Sequence, residues 1–127
     1  MKMRHSNYWN NLELEPGYPE VNYKDGILKF TGTCFPENPA QAFVSINNQF
    51  DEYFKKNDSL VLIFDFEFIN TGTSAQISEM ILKLNEFYKA GKKINAIWYY
   101  QGVDPDSEEN AEFYQNISKF KFKTKKK

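Results

Sequence analysis

Three side-chain hydroxyls, Thr71, Thr73 and Ser74, crowd behind Asn70, and two carboxylates, Asp65 and Glu67, stand just ahead of it. Such a hydroxyl can accept a phosphoryl group, and a carboxylate pair can move a proton or hold a divalent cation. The surrounding run, LVLIFDFEFINTGTS over residues 60–74, indicates how these groups are held. Leu60, Leu62, Phe64, Phe66 and Phe68 fall on one face of a period-two strand, and Val61, Ile63, Asp65, Glu67 and Ile69 on the other. Its first half is apolar on both faces, the pattern of a strand covered from both sides in an α/β sheet. The hydroxyls then open a helix. In open α/β sheets, ligand and partner chemistry gathers at that place, where helical N–H groups favour an anion.

Each group also has a plainer use. Thr73 or Ser74 is expected to cap the helix, with Gly72 relieving a tight turn. Capping needs one hydroxyl and leaves Thr71 without a structural duty. For Asp65 and Glu67 the simpler reading is a solvated strand end, since no third ligand stands at a characteristic spacing and no glycine-rich phosphate loop is present. The one histidine, His5, falls in an N-terminal arm, so no histidine-based catalytic arrangement is expected. Cys34 is the one cysteine, which excludes an intrachain disulfide and a cysteine-rich zinc site. Ahead of Phe35-Pro36 it reads as a packing residue.

The elements that must position these residues read as ββαβαβαβ. Residues 19–23 and 27–31 form a hairpin around Lys24-Asp25-Gly26. Asn38 and Pro39 are a natural N-cap and first helical residue, and Phe43, Ile46 and Phe50 continue at helical spacing to about Asn57. The strand from Leu60 to Ile69 follows. A second helix is expected over 74–90, with Ile77, Met80, Ile81 and Leu84 inward and Gly91 closing it. INAIWYY, residues 94–100, is the next strand, and an acidic helix over 104–117 carries Ala111, Tyr114 and Ile117 inward. Phe120 and Phe122 alternate with lysines in a short edge strand. The fold class is α/β, with a mixed sheet that is largely parallel after the hairpin. The domain spans 19–123, between an arm at 1–18 and a basic tail at 124–127.

Composition narrows the function. With 127 residues, 41% hydrophobic and 17% aromatic, the chain can bury a core of its own. Net charge is −1, but six of the 16 basic residues are lysines within 119–127, leaving ten against 17 acids elsewhere. An acidic body argues against a nucleic-acid face, and the lysine cluster reads as a frayed tail. The N-terminal stretch lacks the apolar run of a signal peptide, so a cytoplasmic protein is expected. Trp98, Tyr99 and Tyr100 close a strand, and any exposed ring among them would anchor a protein partner.

Several ordered stretches resemble one family: Tyr18-Pro19-Glu20-Val21, Phe35-Pro36-Glu37-Asn38, Glu67-Phe68-Ile69-Asn70-Thr71, Ala90-Gly91-Lys92-Lys93 and Trp98-Tyr99-Tyr100. Across residues 19–122 the chain is similar to the SiaC-type bacterial regulatory phosphoproteins, which have a fold like the STAS domains of anti-sigma-factor antagonists. The resemblance implies a non-enzymatic switch without cofactor or metal. A dedicated kinase would phosphorylate the threonine after the Asn, here Thr71, with Thr73 and Ser74 as secondary candidates. A phosphatase would reset it. The unphosphorylated form would bind an effector such as a diguanylate cyclase, raising cyclic-di-GMP and promoting biofilm formation. The family pattern continues Asn-Thr-Ser-Ser with a basic residue shortly after, where this chain has Gly72 and Gln76. The expected docking surface takes in Asp65, Glu67 and Asn70, together with Gln76, Glu79, Lys83 and Glu86 on the helix face. Two other classes compete. One is a small metal-assisted hydrolase using Asp65, Glu67 and the 71–74 hydroxyls; the other is an adaptor working through the lysine tail.

Overall fold

A computed structural model describes residues 8–9, 17–102 and 105–127. His5, most of the expected arm and Asp104 lie outside them. The elements are β1 (Glu20–Lys24), β2 (Ile27–Cys34), α1 (Pro39–Lys56), β3 (Ser59–Ile69), α2 (Thr71–Lys89), β4 (Lys93–Tyr100), α3 (Pro105–Ile117) and β5 (Lys121–Lys126). The five strands lie in the order β1-β2-β3-β4-β5, antiparallel between β1 and β2 and parallel thereafter. This is the mixed α/β sheet that the pattern predicts.

Local chemistry sets the joints. Asp25 (φ 49°) and Gly26 (φ 83°) both adopt positive φ in the left-handed region, as a two-residue hairpin turn requires, and Lys24 pairs with Ile27 across it. Asn38 caps α1 by accepting the Gln41 N–H at 3.2 Å, with Pro39 in the first turn. At the far end of α3, buried Asn85 donates to the Ile117 carbonyl (2.9 Å) and accepts the Lys119 N–H (2.8 Å), turning the chain into β5.

The crossovers decide which face is buried. Each one steps to the next strand in the same direction, and right-handed connections of that kind bring α1, α2 and α3 to one side of the sheet. Leu60, Leu62, Phe64 and Phe66 are buried against them, with Phe30 and Phe64 stacked at 5.0 Å. The expectation of cover on both faces fails. Val61, Ile63 and Asp65 are only half-buried, because nothing in the described chain crosses over the second face.

Two further expectations change. The lysines read as a tail at 124–127 belong largely to β5, where Lys125 and Lys126 pair with Tyr99 and Tyr100. Trp9, read as part of a loose arm, is 1% exposed. Its Nε1 donates to the Ile46 carbonyl at 2.9 Å, and its ring sits 5.3 Å from Phe50 and 5.4 Å from Tyr53.

Truncating a buried tryptophan removes both that packing and that hydrogen bond. Trp9→Ala should lower unfolding free energy by about 3 kcal/mol, read from urea midpoints at constant slope. A change below about 0.5 kcal/mol, the size of an exposed substitution, would show that the arm contributes nothing to the core.

Candidate functional site

The sheet divides at its carboxyl end. The ladder between β3 and β4 stops at Phe64–Trp98, while β3 goes on pairing with β2 to Ile69 and β4 with β5 to Tyr100. Between the two arms opens a cleft of about 690 Å³. Its walls include Phe66, Glu67, Phe68 and Trp98 from the strands, and Glu109 and Phe113 from α3. Asn70, Thr71 and Ser74 form the rim at the start of α2. The sheet's parting therefore delivers the sequence-marked loop to a concave surface.

Asn70 determines how each hydroxyl points. Its Oδ1 accepts the Thr73 N–H at 2.9 Å, so Asn70 is the N-cap and α2 begins at Thr71. The expected cap, Thr73 or Ser74, and the expected start at Ser74 are both displaced, because Asn70 already accepts an orphan N–H and starts the helix earlier. Asn70 is itself held by its N–H to the Cys34 carbonyl (3.1 Å) and its Nδ2 to the Pro36 carbonyl (3.4 Å). From that start the helical turn sends the three hydroxyls in different directions. Thr71 is exposed. Thr73 is 0% exposed, with its Oγ1 donating to the Cys34 carbonyl at 3.4 Å and lying 3.5 Å from the Cys34 sulfur. A modifying enzyme could not reach Thr73 without opening the helix end, which removes it from the secondary candidates. Ser74 is half-buried and shares a 2.7 Å hydrogen bond with the Tyr114 hydroxyl, tying α2 to α3. Burial pushes that Tyr114 hydroxyl up to about 12, with the Ser74 contact pulling slightly the other way. Burial also raises the Cys34 thiol, in keeping with a packing role.

Thr71 opens an outer stripe on α2. Ala75, Glu79, Leu82 and Glu86 follow it at spacings of four and three, all exposed. Gln76 is half-buried, and Lys83 is drawn to α1 by a 2.9 Å ion pair with Asp51. The expected docking face thus keeps Glu79 and Glu86 but turns Lys83 toward its neighbour.

The carboxylates part company. Asp65 is held by Lys127 at 2.6 Å on the open face, whereas Glu67 is exposed at a register shift opposite Gly32 and lines the cleft. Among the described residues no three His, Cys, Asp or Glu side chains are grouped to hold a metal ion. Among those residues the hydrolase reading finds no third ligand to join Asp65 and Glu67.

Sequence reasoning missed the apolar part of this surface. Phe68 is 56% exposed and Phe113 52%, both lining the cleft, and Leu82 is exposed on the stripe. Period two had placed Phe68 inward. A glycine inside a strand, Gly32 with φ 85°, was the available sign that the ladder shifts there.

The family model described as SiaC family regulatory phosphoprotein matches residues 15–127. SiaC of Pseudomonas aeruginosa is structurally similar, with a TM-score of 0.78 at 18% identity over 91% of this chain and 96% of that one. A structure of the diguanylate cyclase SiaD in complex with its activator SiaC, from the same organism, gives 0.77 at 20% identity over 89% and 95%. Apo-SiaC gives 0.74 at 21% identity over 87% and 93%. No curated protein sequence matches the chain.

Gly72 has a physical reason. A Cβ there would meet Pro39 Cγ at 2.6 Å, closer than real Cβ contacts come, so glycine lets the starts of α1 and α2 abut. Gly72→Ala should destabilise by about 1 kcal/mol, overpacking of about 1–3 kcal/mol outweighing a helix-propensity gain of up to about 1 kcal/mol. In a Pro39→Ala background the sign should reverse. Equal effects in both backgrounds, measured by thermal unfolding, would refute the contact.

Proposed function

The chain belongs to the SiaC family of regulatory phosphoproteins, and on that premise we propose that Thr71 is the residue at which it is switched. The exposure of Thr71 carries this reading: of the three neighbouring hydroxyls, Thr73 is buried, Ser74 half-buried and Thr71 exposed. A cognate serine/threonine kinase would phosphorylate it and a phosphatase would reset it. The protein itself would act by binding, without catalysis, in the cytoplasm. Among the described residues no helix is long and apolar enough to cross a membrane.

The geometry supports a mechanism. A phosphothreonine adds about 1.5 to 2 negative charges and three strong acceptor oxygens. At the first position of α2 it would meet helical N–H groups and the positive end of the dipole, which favour an anion. Thr71 also makes no side-chain hydrogen bond in the described structure that phosphorylation would break. The fold should therefore tolerate the modification.

Docking should not. The unmodified cleft offers two exposed phenylalanines, Phe68 and Phe113, beside Glu67 and Glu109. Exposed aromatic rings in a concave site are the usual anchors of a protein interface. A partner covering them would have to desolvate a phosphate dianion set among those carboxylates. A penalty of about 3 kcal/mol would weaken binding roughly a hundredfold. SiaC of Pseudomonas aeruginosa is the activator of a diguanylate cyclase in the complex described above. We assign this chain an effector of the same kind, bound by the unphosphorylated form over the cleft and the outer stripe of α2, including Glu79. Cyclic-di-GMP output, and with it biofilm formation, would be what the switch controls.

The test compares immobilised Thr71→Ala with protein carrying phosphothreonine at position 71. Thr71→Ala should retain the effector, and the phosphorylated protein should lose it while its melting temperature stays within about 3 °C. Equal recovery by both forms would overturn the reading. Unfolding of the phosphorylated protein would instead overturn the claim that the helix start accommodates the anion.

A further inference from the structure

The face of the sheet that none of α1, α2 and α3 covers has its own chemistry. Strand register aligns Lys24, Ile27, Val61, Asn95 and Lys121 in one row across it. The next row runs Asn22, Lys29, Ile63, Ile97 and Lys123. Each row is thus apolar in the middle and basic toward both edges. The middle residues take no part in the core against the helices, where the alternating partners Leu28, Leu62 and Ala96 are buried. Val61, Ile63 and Ile97 are half-buried at the floor, and Ile27 is 42% exposed.

The lysines of this face are unspent. Lys55, Lys83, Lys89 and Lys92 each have a carboxylate within 3.3 Å. Lys24, Lys29, Lys121, Lys123 and Lys125 have no such partner among the described residues. The acids that share the face, Glu20 and Asp65, stand toward its carboxyl end, and Asp65 is already held by Lys127. A protein whose remaining surface is acidic therefore presents one concentrated basic frame around an apolar strip.

We propose that this open face is a second docking surface, which takes an amphipathic helix of a partner protein whose apolar seam is bordered by carboxylates on both sides. Size and shape select a helix. Strands about 4.8 Å apart make the floor from β2 to β4 roughly 10 Å wide, the diameter of a helix with its side chains. Lys29 on β2 and Lys123 on β5 then stand about 14 Å apart, positioned to meet acids on either flank. A flat bilayer surface would meet the lysine ends before the recessed valine and isoleucines. A nucleic acid would leave that floor without apolar cover, and among the described residues no row of exposed rings is there to stack its bases. The surface is separate from the Thr71 cleft, so it stands whether or not that residue is modified.

The probe is a fluorescein-labelled peptide of about 18 residues, long enough to cross the face, with leucines on one helical stripe and glutamates on both flanks. Its control has lysines in place of the glutamates. By anisotropy, the full-length protein should bind the glutamate peptide at least about tenfold more tightly than the control. Lys29→Glu/Lys123→Glu should reverse that preference, and Ile63→Asp should weaken the glutamate peptide about tenfold with circular dichroism unchanged. Thr71→Asp should leave binding as it was, which separates this surface from the switch. Absence of saturable binding would overturn the proposal. So would equal affinity for the two peptides, or insensitivity to the lysine and isoleucine substitutions. Tighter binding of phosphatidylserine vesicles or duplex DNA than of the glutamate peptide would overturn it in favour of those ligands.

Discussion

The side chain of Asn70 is the constraint on which the rest of the site depends. One amide caps α2 through the Thr73 N–H and reaches the Pro36 carbonyl, joining the start of a helix to the loop that begins α1. Once the helix starts there, its turn of about 100° per residue leaves no freedom to the hydroxyls that follow. Thr71 faces outward, Thr73 seals against Cys34, and Ser74 meets Tyr114. Moving the cap by one residue would exchange these roles. A position that looks redundant in composition is therefore differentiated by a single hydrogen bond of 2.9 Å.

The sheet contributes two unlike surfaces by one topological rule. Crossovers of one hand and one direction place all three helices on the same side, so the core forms there and nothing in the described chain crosses the other face. At the carboxyl end the ladder between β3 and β4 gives out first, and the parting exposes Phe68 and Phe113 beside Glu67. Farther back the ladder is continuous and carries the lysine-framed strip. Acidic, aromatic chemistry thus collects at the strand ends, and basic, aliphatic chemistry across the open face. The net charge of −1 conceals that separation.

Much of the fold was legible because its signals are local. Asp25-Gly26 fixes a hairpin turn, Asn38-Pro39 starts α1, and the period-3.6 run through Ile77, Met80, Ile81 and Leu84 marks the inner face of α2. The loop around Thr71 was legible too, from its hydroxyls and from the resemblance to a family. The rest depends on contacts distant in the chain. Asn70, Thr73 and Ser74 are all competent caps, and only the carbonyls of Cys34 and Pro36 decide among them. Val61 and Ile63 look like core residues by type, yet their cover depends on the direction of crossovers that a strand pattern cannot encode. Trp9 finds its acceptor 37 residues away. Lysines at 124–127 resemble a tail until the edge of β4 is there to pair with them.

The account turns on where phosphate is attached in the living cell. Mass-spectrometric mapping of the protein isolated from its native host addresses that directly, since residue-level fragmentation distinguishes Thr71 from Ser74. Phosphate on Thr71, in a fraction that changes with growth conditions, is the expected result. Phosphate confined to another residue, or its absence under every condition in which the protein is made, would contradict the account.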